Sequence, residues 1–407
     1  MIKKVSVNDL RIGMYIHDLN CGWLDHGFLR NRFRIRSASH IENIRRLGVH
    51  EVYIDTDKGY DLPDAPSEGE VVEALERELD KVAAEGQDCL QPETLAQERV
   101  KAQRIHSEVL QLISRLMQDA RLGLPIQIDQ IRVTIAELVS SIFRNQNALL
   151  ALGRIRHADR YTFEHSVNVS VLMVAFAREL GLDPEVIEVI GIGALLHDIG
   201  KTKTPEAILN KPGRLTDEEF AIMRSHVVHS REILARIPGF PDVALAVAAE
   251  HHERLDGTGY PEGKIGEAIS FYGRMASIVD VYDAITSDRV YHRGMEPHQA
   301  LRKLLEWSRY HLDPQLVRHF IRCVGVYPVG SLVRLESQRL AVVLENKRKG
   351  VQEPIVRVVM DARWRRFLPV EDLDLALKIR GAKDRILGVE DPGHWGIDCD
   401  EILRLPV

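Results

Sequence analysis

Along the first sixty residues apolar and polar positions alternate in short runs. Val5 to Leu10, Gly13 to Ile16, Phe33 to Ile35 and Val52 to Asp55 read as strands or strand edges, while Ile41, Ile44 and Leu47 recur at helical spacing before Gly48. This pattern predicts a small α+β N-terminal domain over 1–62. Residues 61–97 are acidic and punctuated by Pro63, Pro66, Gly69, Gly86 and Pro92, so part of this stretch reads as linker, with an exposed helix over Val71 to Ala84. Further on, Ile105, Val109, Leu112, Ile113 and Leu116, then Ile131, Ile135, Leu138 and Ile142, recur at three and four. The segment 63–148 is therefore read as acidic linker followed by amphipathic helices broken at Gly123-Leu124-Pro125. Their apolar stripes need a partner, either the next domain or a second copy of the chain.

Residues 149–326 are dense in helix punctuation. Asp183-Pro184 and Asp313-Pro314 each offer an N-cap with proline at the first helical position, and Thr216 to Glu219 has capping-box spacing, with Pro238-Gly239 closing the helix it opens. Val167 to Ala177 is apolar nearly all round, which predicts a helix buried on every side. An all-α domain follows. Beyond Tyr327 the period changes: Leu332 to Leu335, Leu340 to Leu344 and Ile355 to Met360 read as strands between charged turns, predicting a small β-rich C-terminal segment over 327–407, as barrel or meander. The expectation is a multidomain chain.

At 407 residues there is length for several cores. The net charge of −6 argues against a broad electrostatic footprint for duplex nucleic acid, but leaves room for a small anionic ligand if metals supply positive charge locally. Cys21, Cys89, Cys323 and Cys399 lack the close pairing of a zinc ribbon or disulfide framework, which suggests a reducing compartment. No run of about 18 apolar residues occurs, so no membrane span is expected and the chain reads as cytoplasmic.

The candidate chemistry lies in the helical region. His165, His197, Asp198, His226, His251, His252 and Asp280 each fall on or near a different helix end, and a bundle can converge such positions on one cavity. Neutral imidazole with carboxylate suits first-row ions: iron or manganese, with nickel or zinc as further candidates. Seven ligands exceed one ion and suffice for two, with Asp198 bridging. A metal pair about 3.5–4 Å apart can acidify a water and clamp the two oxygens of a phosphoester displacement.

Each residue has a plainer reading. A lone histidine such as His226 on an apolar helix is more often a packing residue, paired histidines at a helix end also suit its dipole, and Gly257-Thr258-Gly259 alone is a turn. Lys201, Arg289 and Arg293 are by default solvated charges. Asp280 and Asp283 share a helix face, so one is free to bind metal while the other caps or orients. The coincidence of all these features outweighs any one of them.

Three stretches carry a resemblance: His197-Asp198-Ile199-Gly200-Lys201, His251 to Pro261, and Asp280 to Arg289. Together they resemble the HD-GYP family of cyclic di-GMP phosphodiesterases over about 150–325. Residues 1–60 resemble an N-terminal domain often found before it. The resemblance implies an HD-type helical fold, a metal-ligand set on the same seven residues, Asp198 and Lys201 as catalytic groups, and substrate contacts from Lys201, Gly259, Tyr260 and Arg289. Members with three metals are similar but carry a glutamate where this chain has Tyr161, so two metals are expected here. The family's Arg-Pro-Tyr-Arg ending reads Arg289-Val290-Tyr291-His292, which leaves Arg293 to supply the second basic contact.

The implied function is metal-dependent hydrolysis of cyclic di-GMP to linear pGpG and onward to GMP, with a homodimer or a signalling protein as the open partner question. A metal-loaded regulatory module that binds cyclic di-GMP with little turnover is the alternative. A guanosine polyphosphate or deoxynucleotide hydrolase of the wider superfamily comes third, disfavoured by the His251 to Pro261 motif.

Overall fold

The computed structural model describes residues 1–21, 32–85, 91–155, 161–211, 213, 215–287, 294–347, 352–377 and 384–405. At the N-terminus β1 (Ile2–Ser6), β2 (Tyr15–Asp18), β3 (Phe33–Arg34), α1 (Ala38–Arg46) and β4 (Glu51–Asp55) form the expected α+β unit. The antiparallel sheet runs β1-β4-β2-β3, with Val5 opposite Val52 and Ile16 opposite Ile54. Alternation sends Val5, Ile16, Val52 and Ile54 inward, where they close a small core with Met14, Ile35 and Ile44.

Among the described residues twelve helices follow: α2 (Glu68–Ala84), α3 (Leu95–Leu122), α4 (Ile128–Arg154), α5 (Tyr161–Glu179), α6 (Pro184–Leu196), α7 (Glu206–Leu209), α8 (Asp217–Arg224), α9 (His226–Ala235), α10 (Asp242–Glu250), α11 (Phe271–Thr286), α12 (Pro297–Trp307) and α13 (Pro314–Val324). Capping boxes at Ser67/Glu70 and Thr94/Gln97 open α2 and α3. Helix α2 is not the exposed helix its acidic composition suggests. Val71, Leu75, Leu79 and Val82 make a buried stripe against α12 and α13, and Glu76 accepts from His298 at 2.9 Å and from Arg302 at 3.0 Å.

The hairpin of α3 and α4 buries its stripes against α5, so the amphipathic helices find their partner within the chain. Helix α4 kinks at Asn145, whose backbone leaves helical geometry, and the buried Asn145, Gln146 and Asn147 bond Glu345, the Cys323 carbonyl and the Asn346 carbonyl. Val167 to Ala177 of α5 are all buried. At roughly 1.5–3 kcal/mol per fully buried large apolar side chain, this central helix anchors the bundle against which the site is built.

The capping box at Thr216/Glu219 opens α8 as expected, but the helix does not run on to Pro238. It breaks at Ser225, whose hydroxyl donates to the Ile222 carbonyl at 2.6 Å, and α9 starts afresh at His226. At the C-terminus β5 (Leu332–Leu335), β6 (Arg339–Glu345), β7 (Ile355–Asp361), β8 (Arg366–Asp374) and β9 (Ile386–Val389) form a sheet in the order β8-β7-β6-β5-β9, followed by α14 (Pro392–Trp395) and α15 (Cys399–Arg404). Its outer strands β8 and β9 lie at opposite edges, so among the described residues the sheet is open rather than a barrel: β5 to β8 form a meander and β9 returns to pair with β5. Among the described residues no helix is long and apolar enough to cross a membrane.

Candidate metal centre

Five helices deliver the seven histidines and aspartates to one buried point. His165 lies near the start of α5, His197 and Asp198 follow α6, His226 begins α9, His251 and His252 follow α10, and Asp280 sits inside α11. Around the Asp198 carboxylate the donors divide. Oδ2 lies 3.3 Å from His197 Nε2 and 3.5 Å from His165 Nε2, whereas Oδ1 lies 3.2 Å from His226 Nε2 and 4.0 Å from His251 Nε2. Asp280 spans the group in the same way, with Oδ1 3.2 Å from His165 Nε2 and Oδ2 3.5 Å from His252 Nδ1. Two donor groups result: His165, His197 and Asp280, and His226, His251 and His252. Asp198 lies between them.

The rings are held in place by their far nitrogens. Nδ1 of His197, His226 and His251 points to the carbonyls of Ala194, Met223 and Ala248 at 2.7, 2.7 and 2.9 Å, each in the last turn of the preceding helix. Each carbonyl lies near its helix end, and a ring N–H donated to it leaves Nε2 with its lone pair aimed inward. His165 uses a side chain instead. Its Nδ1 lies 2.7 Å from Asp283 Oδ2, which gives Asp283 the orienting part in the Asp280/Asp283 pair.

Electrostatics match. Burial would raise the carboxyl pKa of Asp198, but Lys201, His197 and His226 outweigh it and hold the group well below the usual carboxylate range. Asp280 is likewise held low, against its burial, by His165 and His252. Burial pushes His251 down to about 3 and His252 well below the ordinary imidazole value. Burial also acts downward on His165, yet Asp280 and Asp283 prevail and lift it to about 9. Two anionic carboxylates beside the neutral His251 and His252 are protonation states that first-row ions require, and at His165 a metal ion would displace the proton that Asp280 and Asp283 otherwise hold there. Buried Asp198 Oδ1 makes no hydrogen bond, as a carboxylate oxygen reserved for a cation would not. The donor set fits metal.

Close packing explains two glycines. A Cβ on Gly200 would lie 2.0 Å from the His226 carbonyl, so the turn after Asp198 docks on α9 only with glycine, and Gly200 N–H donates to Ser230 Oγ at 2.8 Å. A Cβ on Gly259 would lie 2.3 Å from the Arg254 nitrogen, where the 251–261 loop folds on itself. Tyr260 lies over His252, ring centroids 4.7 Å apart, with the Arg224 guanidinium 5.7 Å from the tyrosine ring. Lys201 Nζ pairs with Asp198 Oδ2 at the rim. Arg289, Arg293 and the Tyr161 side chain lie outside the described residues.

Sequence reasoning passed over Glu250 and Glu253. Glu253 is buried and accepts from the backbone of Glu262 at 2.8 Å and Lys264 at 2.9 Å, which closes the loop, while Glu250 takes Lys264 Nζ at 2.6 Å and the Ser270 N–H at 2.9 Å. Their position beside the paired histidines was the available signal.

A helical bundle converging histidines and aspartates in this way defines an HD-type phosphohydrolase, a metal-dependent class, and the comparisons agree. Residues 121–316 match the HD domain family, and residues 2–131 match a domain of unknown function, DUF3391. Over 404 residues the chain is 40% identical to a cyclic di-GMP phosphodiesterase of Pseudomonas aeruginosa, covering 99% of this chain and 95% of that protein. It is 34% identical over 205 residues to 3'3'-cGAMP-specific phosphodiesterase 1 of Vibrio cholerae, covering 50% of this chain and 42% of that one. A solved HD-GYP-type protein of Bdellovibrio bacteriovorus aligns with 79% of this chain and 98% of its own, at 19% identity and a TM-score of 0.47. The chain belongs to the HD-GYP family of cyclic di-GMP phosphodiesterases.

Proposed function

We propose that this chain hydrolyses cyclic di-GMP at a centre of two divalent metal ions, iron or manganese first and nickel or zinc as the other ions its donors suit. His165, His197 and Asp280 would hold one ion, His226, His251 and His252 the other, and Asp198 would bridge. The observation that carries the reading is the division of the Asp198 oxygens between the two histidine groups. When bound, such a pair supplies Lewis-acid charge for the phosphodiester and acidifies water.

The side chains supply the rest. Lys201, already paired with Asp198, is placed to exchange that contact for a phosphate oxygen and neutralise the charge that grows there as the bond breaks. The turn at Gly259 brings backbone close to the ligand, and Tyr260 offers an aromatic face for a guanine. Arg289 and Arg293 are proposed to grip the more distant part of the dinucleotide. Water adds across one P–O bond, leaving a free hydroxyl and a terminal phosphate, which is linear pGpG. A second hydrolysis gives GMP.

The test is turnover of cyclic di-GMP by anaerobically purified, metal-analysed protein, beside an Asp198→Ala variant. Removing the shared carboxylate should lower turnover by at least about 10²-fold with helical content retained. Tight binding without turnover in metal-replete wild type would overturn the reading in favour of a regulatory binding module.

A further inference from the structure

A second group of metal-type donors lies away from this centre, where the N-terminal domain meets the 251–261 loop. His50, just before β4, places Nε2 2.8 Å from Asp256 Oδ2, and His311, after α12, places Nδ1 3.1 Å from the same oxygen. The three come from three separate parts of the chain. His50 belongs to the N-terminal domain, Asp256 to the loop between His252 and Tyr260, and His311 to the segment after α12.

Several features make this a built site rather than a chance surface contact. The other carboxylate oxygen, Oδ1, is occupied by Thr258, whose hydroxyl and N–H donate to it at 2.7 and 3.2 Å, so Oδ2 alone faces the imidazoles. Tyr310 stacks flat on the His50 ring, with centroids 4.2 Å apart and planes 10° apart. The Leu255 N–H donates to the His311 carbonyl at 3.0 Å and fixes the loop against that segment. His311 Nδ1 is buried and, although 3.1 Å from Oδ2, makes no hydrogen bond of acceptable angle. An ordinary histidine–aspartate latch would align that nitrogen. In a tetrahedral zinc site with bonds of about 2.0–2.1 Å the ligand atoms stand about 3.3 Å apart; the two imidazole–carboxylate distances lie within about half an ångström of this, and the three ligand atoms all lie within 4.8 Å of one another.

We propose that His50, Asp256 and His311 bind one first-row divalent cation of the zinc class, and that this cation ties the N-terminal domain to the loop carrying Tyr260. Two imidazoles and one carboxylate favour such ions over magnesium or calcium, which prefer all-oxygen shells. Three protein ligands leave a fourth position for water or a further ligand. Since Asp256 and Tyr260 share one short loop whose Tyr260 N–H bonds the His252 carbonyl at 3.1 Å, occupancy would stiffen the chain immediately beside the catalytic centre. The N-terminal domain would thereby report metal availability to the active site.

The experiment uses full-length protein equilibrated with Zn²⁺, freed of unbound metal and analysed for zinc per chain. His50→Ala and His311→Ala, checked for native helical content, should each hold one equivalent less than wild type. Equal zinc in wild type and both variants overturns the proposal. The equivalents left in His50→Ala count the catalytic centre separately, so a centre that holds other than two ions would show there without touching the difference. Hydrogen exchange gives a second measure: Zn²⁺ should slow the amides of 253–264 in wild type but not in His50→Ala. Equal slowing in both would refute the tie between domain and loop.

Discussion

Replacing Asp283 isolates what orientation is worth at the metal centre. Its carboxylate is buried and lies 2.7 Å from Nδ1 of His165, the nitrogen that faces away from the centre. Asp283→Ala leaves all seven proposed ligands in place but frees one ring to turn and strips a buried N–H of its acceptor. An orphaned buried donor costs about 1–3 kcal/mol, and loss of such an outer partner typically weakens metal affinity by about 10–100-fold, or roughly 1.4–2.7 kcal/mol. Asp283→Asn keeps an acceptor oxygen and loses only the charge, so its affinity should fall between the two. Competition titration of Mn²⁺ or Co²⁺ against a chelator at neutral pH, on three proteins of matched circular dichroism, measures the series. If Asp283→Ala binds metal within about twofold of wild type, the carboxylate does not orient His165 in the way the geometry implies.

Three further outcomes are expected. Lys201→Ala should lower kcat at saturating cyclic di-GMP by about 10²-fold with metal content retained, and a change confined to KM would make the lysine a binding residue only. Glu98 is buried in α3, bonded by Arg144 at 2.6 Å and Ser141 at 2.6 Å; burial would raise its pKa, but these partners lower it. Its stabilisation is therefore present above the unfolded value of about 4.3 and lost as pH falls through the lower folded value. Glu98→Gln should be destabilised by about 2–4 kcal/mol at neutral pH, Arg144 being partly exposed, with a gap that narrows in acid. Denaturation at several pH values checks this, and a gap independent of pH contradicts it. Gly200→Ala should destabilise by about 1–3 kcal/mol through its clash with the His226 carbonyl, and an unchanged melting temperature would mean that α9 yields freely.

The catalytic bundle was legible because its signals are local and redundant. Prolines after Asp183 and Asp313 mark helix starts, and an apolar run from Val167 to Ala177 admits only a central position. Six of the seven candidate ligands could be picked out because they fall at or near helix ends, where a bundle gathers them without long-range information, while Asp280, inside α11, was marked only by the Asp280 to Arg289 stretch it opens. Burial of α2 was hidden by its charge, since Val71, Leu75, Leu79 and Val82 are a thin stripe among glutamates that only the facing α12 and α13 make meaningful. The break at Ser225 has neither glycine nor proline to announce it and is imposed by packing of the Gly200 turn on α9. Strand β8 escaped because it is a largely exposed edge, rich in charge and interrupted by Pro369, a residue that a sheet tolerates only where no ladder bond is needed. Asp256 gave no hint, because its histidines come from distant parts of the chain.

The anchoring of the four rings by unlike means has a genetic consequence. For His197, His226 and His251 the anchor is a main-chain carbonyl, and every amino acid carries one. Codon changes at Ala194, Met223 or Ala248 can alter packing, yet none deletes the acceptor while the helix persists. Of these four, His165 depends on an encoded side chain, and a single base change at Asp283 can remove it. Mutational drift is thus buffered at three of these four rings and concentrated at the fourth. Random mutagenesis scored for activity should recover loss of function at Asp283 far more often than at the residues whose carbonyls do the same work.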